Sequence, residues 1–66
     1  MLVNGDFVAI SELQKPTIEA LLKKYNIKNT MLAVEVNGKV ISKTQWDKEI
    51  LKEEDKVELI RFVGGG

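Results

Sequence analysis

The apolar residues of this chain come in short runs, and two of these runs are followed by an Asn-Gly pair. Asn4-Gly5 separates residues 1–3 from residues 7–10, and Asn37-Gly38 separates residues 31–36 from residues 39–41. Asn-Gly favours a type I′ turn, because both central residues of that turn need a positive φ angle. The pattern therefore predicts two β-hairpins, one at the start of the chain and one near its middle.

Between the hairpins the apolar spacing changes to that of a helix. Four side chains fall at i, i+3, i+4 and i+7, which is one helical face: Ile18, Leu21, Leu22 and Tyr25. Thr17 is predicted to cap the N-terminus of this helix, and Pro16 disfavours helical geometry at the residue before it. Residues 11–15 are therefore expected to form a loop, and Tyr25 is expected to complete the apolar face.

The pattern is less regular after the second hairpin. Trp46, Ile50 and Leu51 are expected to hold one or two short helical turns together. The acidic residues at 53–55 are expected to form a solvated turn and not a metal site, since nothing fixes them in octahedral geometry. Residues 57–63 alternate again and predict the last strand.

The predicted order is strand, strand, helix, strand, strand, irregular segment, strand. A single helix covers only one face of such a sheet and leaves the other face to solvent or to a partner. This order predicts an α+β fold of the β-grasp, ubiquitin-like type, with a mixed sheet of about five strands and one main helix. Residues 1–63 would form the domain, and residues 64–66 a flexible, reactive tail.

Composition narrows the classes of function. Ten basic residues balance ten acidic ones, which argues against nucleic acid as the main partner. The 66-residue chain has no Cys and no His, so the usual thiol nucleophile, neutral-pH base and zinc ligands are missing. No apolar run reaches the length of a membrane span or a signal sequence. We therefore expect a cytoplasmic protein without a membrane partner, and one that is not itself an enzyme.

The sequence ends in Gly64, Gly65 and Gly66. Glycine adds no side-chain packing and loses the most backbone entropy when it is ordered. The carboxylate of Gly66 is therefore expected at the end of a thin, flexible stalk that fits the active site of another protein. The alternative is that these glycines are a frayed end or residues left over from an expression vector.

The last strand is predicted to carry a second apolar face. Alternation puts Val57 toward the helix, and it puts Ile60 and Phe62 on the opposite face. Two large apolar side chains on an open sheet face form an exposed patch. We expect two residues of the neighbouring strand, Ala33 and Glu35, to join them in binding partner proteins. The alternative is that Ile60 and Phe62 belong to the core of a twisted or bulged strand.

These residues together resemble a known family, the thiamine-pathway sulfur carriers called ThiS. The resemblance covers residues 1–66 and is carried by the helix start Thr17-Ile18-x-x-Leu21-Leu22, by Val36-Asn37-Gly38, Val40, Trp46, Asp55 and Val57-Glu58-Leu59, and by the ending Val63-Gly64-Gly65-Gly66. One departure is the turn Glu53-Glu54-Asp55, where relatives often have a glycine before the aspartate.

The resemblance implies a chemistry carried by the terminal glycine. In this family an ATP-dependent activating enzyme of the ThiF type adenylates that glycine, and sulfur from a persulfide donor then replaces AMP. Thiazole synthase, of the ThiG type, takes sulfur from the resulting thiocarboxylate. Carried over to this chain, Gly66 is the modified residue, Gly65 and Gly64 belong to the tail, and ATP is used by the enzyme while the carrier binds no cofactor or metal.

Two alternatives stay open from the sequence. One is the molybdopterin-pathway carrier, which shares the fold and the glycine ending and is typically longer. The other is a β-grasp binding module without covalent chemistry, in which the terminal glycines are inert.

Overall fold

Five short strands and one helix make up the part of the chain that this computed structural model describes, residues 1–27 and 32–61. The elements in chain order are β1 (Leu2–Val3), β2 (Asp6–Phe7), α1 (Ile18–Lys24), β3 (Leu32–Val36), β4 (Lys39–Ile41) and β5 (Lys56–Arg61). Single 3₁₀ turns are found at Ile10–Glu12 and at Lys43–Gln45.

The strands form one mixed sheet in the order β2-β1-β5-β3-β4. β1 and β5 are parallel, whereas the other neighbours are antiparallel. The last strand of the chain is thus the central strand of the sheet. This arrangement, with one helix packed on one face, is the β-grasp fold, and the predicted fold class and element order are confirmed.

Both predicted hairpins are present, and their turns have the expected backbone geometry. Asn4 and Gly5 have φ angles of 51° and 88°, and Asn37 and Gly38 have φ angles of 54° and 82°. Because asparagine and glycine tolerate positive φ better than other residues, these two pairs fix where each hairpin turns.

Helix α1 begins where the sequence predicts. The Oγ1 atom of Thr17 accepts a hydrogen bond from the backbone N–H of Ala20 at 3.2 Å, as an N-cap does. The helix ends at Lys24, and Asn26 follows with a φ of 57°. The prediction for Tyr25 is wrong: its side chain is 40% exposed. Tyr25 is the C-cap, and its backbone has already left helical geometry, so its side chain does not continue the apolar face.

One hydrophobic core lies between α1 and one face of the sheet. Its buried members are Met1, Val3, Val8, Leu13, Ile18, Leu21, Leu22, Leu32, Val34, Val36, Trp46, Leu51 and Val57. The opposite face of the sheet carries the half-exposed and exposed residues of the same strands. The prediction of one covered face and one open face is therefore confirmed.

The segment between β4 and β5 is held by two of the three predicted residues. Trp46 and Leu51 are buried, and the indole Nε1 of Trp46 donates a hydrogen bond to the Ile41 carbonyl at 3.0 Å. Ile50 is exposed, so its predicted role in holding this segment is wrong. Ile50 forms an isolated β-bridge with Thr17, and neighbouring side chains of extended backbone point to opposite sides.

Asp55 is buried, which corrects the prediction of a solvated turn at this residue. Its Oδ1 accepts a hydrogen bond from Asn37 Nδ2 at 3.0 Å, and its Oδ2 accepts one from the Lys52 N–H at 2.9 Å. The carboxylate closes its own turn and joins it to the second hairpin, so it is covered by the groups that it binds.

The expected loop at residues 11–15 begins with the 3₁₀ turn Ile10–Glu12. The Glu12 carboxylate accepts a hydrogen bond from the Ala9 N–H at 3.0 Å and lies 3.1 Å from Lys24 Nζ. Local side-chain bonding of this kind satisfies backbone groups that a short turn leaves unpaired.

Candidate functional site

The last strand of the chain, β5, lies at the centre of the sheet. β5 has β1 on one side and β3 on the other, and it is described as far as Arg61. The predicted roles of Phe62, Gly64, Gly65 and Gly66 fall on residues outside the described part. What the structure does give is the strand that leads to them and the two surfaces on either side of that strand.

Ile60 lies on the open face of the sheet, as predicted. It pairs with Ala33 across the β5–β3 ladder, and Glu58 pairs with Glu35. Residues that are directly opposite each other share a face. Ile60 is 36% exposed whereas Val57 is 1% exposed, so Ile60 is not part of the core. The structure thus brings together three of the four residues predicted to bind partners.

The same face carries an opposed pair of like charges. Glu58 and Glu35 are Cα partners in neighbouring strands. Like charges in that position disfavour the pairing. Among the described residues, the ion pairs involve neither of these two carboxylates. A basic group of a bound partner would relieve this repulsion.

Sequence reasoning missed three further apolar residues of the open face. Leu2 and Phe7 are cross-strand partners in the first hairpin, and both side chains are exposed. Val40, the partner of Glu35, is exposed on β4. The alternation of Leu2 with the buried Val3 is the signal in the sequence, in a run of only three residues that predicts no more than a hairpin.

The side chain of Asn4 fixes the position of β5 close to the tail. Its Oδ1 accepts a hydrogen bond from the Leu59 N–H at 2.8 Å, and its Nδ2 donates to the Leu59 carbonyl at 3.3 Å. β1 ends at Val3, so the Asn4 amide pairs with β5 where a longer strand would have supplied backbone groups. The sequence indicated only the turn and not this second role.

The helix side of β5 has a shallow groove of about 400 Å³. It is lined by Val3, Asn4, Asp6, Tyr25, Ile27, Leu59 and Arg61. In residues 1–27 and 32–61, no three His, Cys, Asp or Glu side chains are placed to hold a metal ion. No helix in those ranges is long and apolar enough to cross a membrane.

The described residues form a domain with one sheet face open to contact. The central strand of this β-grasp domain, β5, is followed in the sequence, after two further residues, by three glycines. This combination defines the class of ubiquitin-like carrier proteins.

Comparison with known proteins identifies the family within this class. The model of the ThiS family matches residues 1–66. The chain is 38% identical over 50 residues to the sulfur carrier protein ThiS of Bacillus subtilis (strain 168), which is 76% of each protein. It also superposes on the crystal structure of thiamine biosynthesis protein ThiS from Geobacter metallireducens with a TM-score of 0.77 at 29% identity, over 98% of this chain and 96% of that one. The chain therefore belongs to the ThiS family, the sulfur carriers of thiamine biosynthesis, and it is a carrier and not an enzyme.

A further match is to a much longer protein. The chain is 34% identical over all 66 residues to part of the thiazole synthase of Paramagnetospirillum magneticum (strain ATCC 700264 / AMB-1), and it covers 20% of that protein. A thiazole synthase of Magnetococcus marinus (strain ATCC BAA-1437 / JCM 17883 / MC-1) matches over 50 residues at 36% identity, with 15% of its length covered. Domains similar to this chain are thus found within thiazole synthases.

Proposed function

We propose that the chain carries sulfur as a thiocarboxylate on Gly66. The Gly66 carboxylate attacks the α-phosphorus of ATP, and pyrophosphate leaves to give an acyl-adenylate. Sulfur from a persulfide donor then attacks the acyl carbon and AMP leaves, which gives an acyl disulfide. A thiol attacks the donor's sulfur of this S–S bond, so that a disulfide forms between donor and thiol and the C-terminal thiocarboxylate is released. The observation that carries this proposal is the match of the family model along the whole chain, glycine ending included.

The division of labour between carrier and enzyme follows from the residues present. A carboxylate is a poor electrophile, so it needs a good leaving group and a site that stabilises the developing charge. The carrier has no Cys or His in its sequence, so it supplies neither the leaving group nor the site that stabilises the charge. It depends on an activating enzyme of the ThiF type, which uses the ATP. Residues 1–63 act as the domain that binds, and residues 64–66 as the tail that reacts.

The second partner in this proposal is a thiazole synthase of the ThiG type, which takes the sulfur from Gly66. Its support is the pair of thiazole synthases that contain a segment similar to this chain. We also propose a cytoplasmic location, because the activating enzyme needs ATP. The matches favour this thiamine-pathway role over the molybdopterin-pathway alternative.

Mass spectrometry of the intact protein tests the chemistry. After incubation with the activating enzyme, ATP and a persulfide donor, the mass should increase by the difference between sulfur and oxygen. Without the donor, an AMP adduct should be detectable. Fragmentation should place both changes on Gly66. A chain that stays unmodified with an activating enzyme that works on its own carrier would contradict the proposal.

The surface that we propose for docking is the part of the open face nearest to the tail. Its described members are Ile60, Ala33 and Glu35, and Phe62 is expected to extend it. Ile60→Ala should weaken binding to the activating enzyme by about tenfold, which is the scale of an apolar contact at the centre of an interface. Phe62→Ala should have an effect of similar size.

Tyr25→Ala provides a matched control for these variants, because Tyr25 is similarly exposed but lies on the helix side of the protein. Isothermal titration calorimetry gives the affinities, and circular dichroism shows whether each variant is folded. If Ile60→Ala and Phe62→Ala are folded and bind as tightly as the unmodified chain, this surface is not the docking surface.

A further inference from the structure

A second apolar patch lies on the open face at the end away from the tail. Phe7 is 71% exposed, and its cross-strand partner Leu2 is 39% exposed. We call these two residues the hairpin patch. Both lie on the face that carries Ile60, because Leu2 is paired with Lys56 and Lys56 is four residues from Ile60 along β5.

Packing within the hairpin does not account for this exposure. A cross-strand pair of apolar side chains stabilises a hairpin modestly, and any apolar or β-branched residue at position 7 would do so. An exposed phenylalanine on the two-residue edge strand β2 adds an aggregation risk in return. A contact that covers the ring in a complex would remove that disadvantage.

The area that an interface requires also points to this end of the sheet. A stable complex buries about 800 Å² on each partner. That is about one sixth of this chain's accessible surface of 4662 Å². The Ile60 end of the face has one partly exposed isoleucine and one half-buried alanine among its described residues. An interface of ordinary size that is centred on the open face therefore extends beyond the Ile60 end, and the exposed apolar side chains available there are Val40 on β4 and the hairpin patch on β1 and β2.

The two apolar ends of the face are separated by charge. Lys56 and Glu58 lie between the hairpin patch and Ile60, over a distance of roughly 13 Å along the strand. A partner that covers the whole face needs two apolar contacts with a polar strip between them. The strip should include a basic side chain opposite the paired carboxylates Glu58 and Glu35.

We propose that the hairpin patch is a second binding contact for thiazole synthase, which inserts Phe7 into an apolar pocket while Ile60 forms the first contact. This inference rests on the proposed function. We assign this contact to the synthase because a thiazole synthase contains a segment that matches this chain over its full length, the first hairpin included. The contact sets how the domain is oriented and so where the tail meets the synthase.

The experiment compares Phe7→Ser, Ile60→Ser and the control Tyr25→Ser in binding to the thiazole synthase encoded in the same genome. Phe7→Ser should weaken binding by about tenfold, because the ring loses its apolar burial in the complex. Tyr25→Ser removes an exposed aromatic ring from the helix side and should leave the affinity unchanged. Since Phe7 and Ile60 do not share a contact, the effects of the two changes on binding free energy should add in the double variant.

Thermal unfolding of each variant separates binding from stability. Phe7 is exposed, so Phe7→Ser should fold, and affinities are measured well below its midpoint of unfolding. If Phe7→Ser only lowers stability and binds the synthase normally while Ile60→Ser does not, the hairpin patch belongs to the hairpin alone and our inference is wrong. If Phe7→Ser instead weakens binding to the activating enzyme only, the patch serves that partner and the inference is again overturned.

A failure of the proposed function gives a different result from a failure of this inference. If the proposed function is wrong, no thiocarboxylate forms on Gly66 in the unmodified chain, whatever the affinity of the variants. Loss of the Phe7 effect alone leaves thiocarboxylate formation intact.

Discussion

At the scale of single residues, Glu12 shows how a surface carboxylate stabilises a short turn. Its hydrogen bond from the Ala9 N–H, together with the neighbouring Lys24 ammonium, lowers the pKa of Glu12 below its ordinary value of 4.5. A lowered pKa in the folded state means that folding favours the charged form. The stabilisation is therefore complete above the ordinary pKa and is lost as the pH falls through the lower, folded value.

Glu12→Gln should remove this pH dependence. The variant should be less stable than the unmodified chain near neutral pH, and the difference should shrink as the pH is lowered below 4.5. Urea unfolding at a series of pH values measures this difference in the free energy of unfolding. The difference should be small throughout, because the carboxylate is exposed to solvent.

Lys24→Gln serves as the comparison for Glu12→Gln. The hydrogen bond from Ala9 is the larger cause of the lowered pKa and it remains in this variant, so only part of the pH dependence should be lost. A stability difference for Glu12→Gln that stays constant across the acidic range would contradict this account.

At the scale of elements, the two Asn-Gly turns do more than reverse the chain. Each asparagine follows a strand that ends at the turn, and it continues the hydrogen bonding to β5 past the end of that strand. Asn4 binds both backbone groups of Leu59 through its side chain. The Asn37 backbone N–H donates a hydrogen bond to the Lys56 carbonyl at 2.7 Å. The Asn37 Oδ1 accepts a hydrogen bond from the Lys56 N–H at 3.0 Å. The central strand is thus held near its start by one hairpin and near the tail by the other.

Asn4→Gly tests the role of Asn4 in hydrogen bonding to β5 separately from its role in the turn. Glycine keeps the positive φ that the turn requires, so the loss should come from the two side-chain hydrogen bonds to Leu59. We expect the variant to be less stable by about 1–2 kcal/mol, the usual net value of two hydrogen bonds. Hydrogen exchange should also be faster at the Leu59 amide, whose acceptor is the Asn4 side chain.

Asn26→Gly is the matched control for this change. Asn26 also has a positive φ, of 57°, and its side chain makes no hydrogen bond to the described residues. Its replacement should change stability by only a few tenths of a kcal/mol, the usual size for a surface position. Equal effects at positions 4 and 26 would mean that the asparagines matter for the turn alone.

At the scale of the whole molecule, the features that follow from local pattern were predictable from the sequence. The hairpins, the helix cap at Thr17 and the covered and open faces of β5 each depend on residues close together in the chain. The open face could be assigned because alternation continues through Val57, Leu59 and Ile60 without a bulge.

The features that were not predictable depend on pairings between distant residues. Asp55 is buried because the second hairpin comes to lie beside it, and Asn4 binds Leu59 across most of the length of the chain. The exposure of Phe7 follows from the place of β2 at the sheet edge, which requires the strand order. No local pattern contains that order, so the exposure of Phe7 was not predicted.

The final prediction concerns the chain as a carrier, in which the docking face and the reactive end must act together. Adding one alanine after Gly66 moves the terminal carboxylate by about 3.5 Å and gives it a side chain. The docking face is unchanged, so we expect the extended chain to bind the activating enzyme with unaltered affinity. It should form no acyl-adenylate and no thiocarboxylate, because the carboxylate no longer meets the α-phosphorus of ATP. ATP–pyrophosphate exchange and intact-mass measurement give the two readouts.

A binding module without covalent chemistry predicts a different result for the extended chain. Its function resides in the sheet face, so the alanine extension would leave it intact and Ile60→Ala would impair it. For a carrier, both changes impair function but in different steps: Ile60→Ala in binding, and the extension in chemistry after binding. An extended chain that still becomes thiocarboxylated at the normal rate would exclude Gly66 as the site of sulfur attachment. Because one change lies on β5 and the other is six residues beyond the described end of that strand, the two steps can be separated in a single domain.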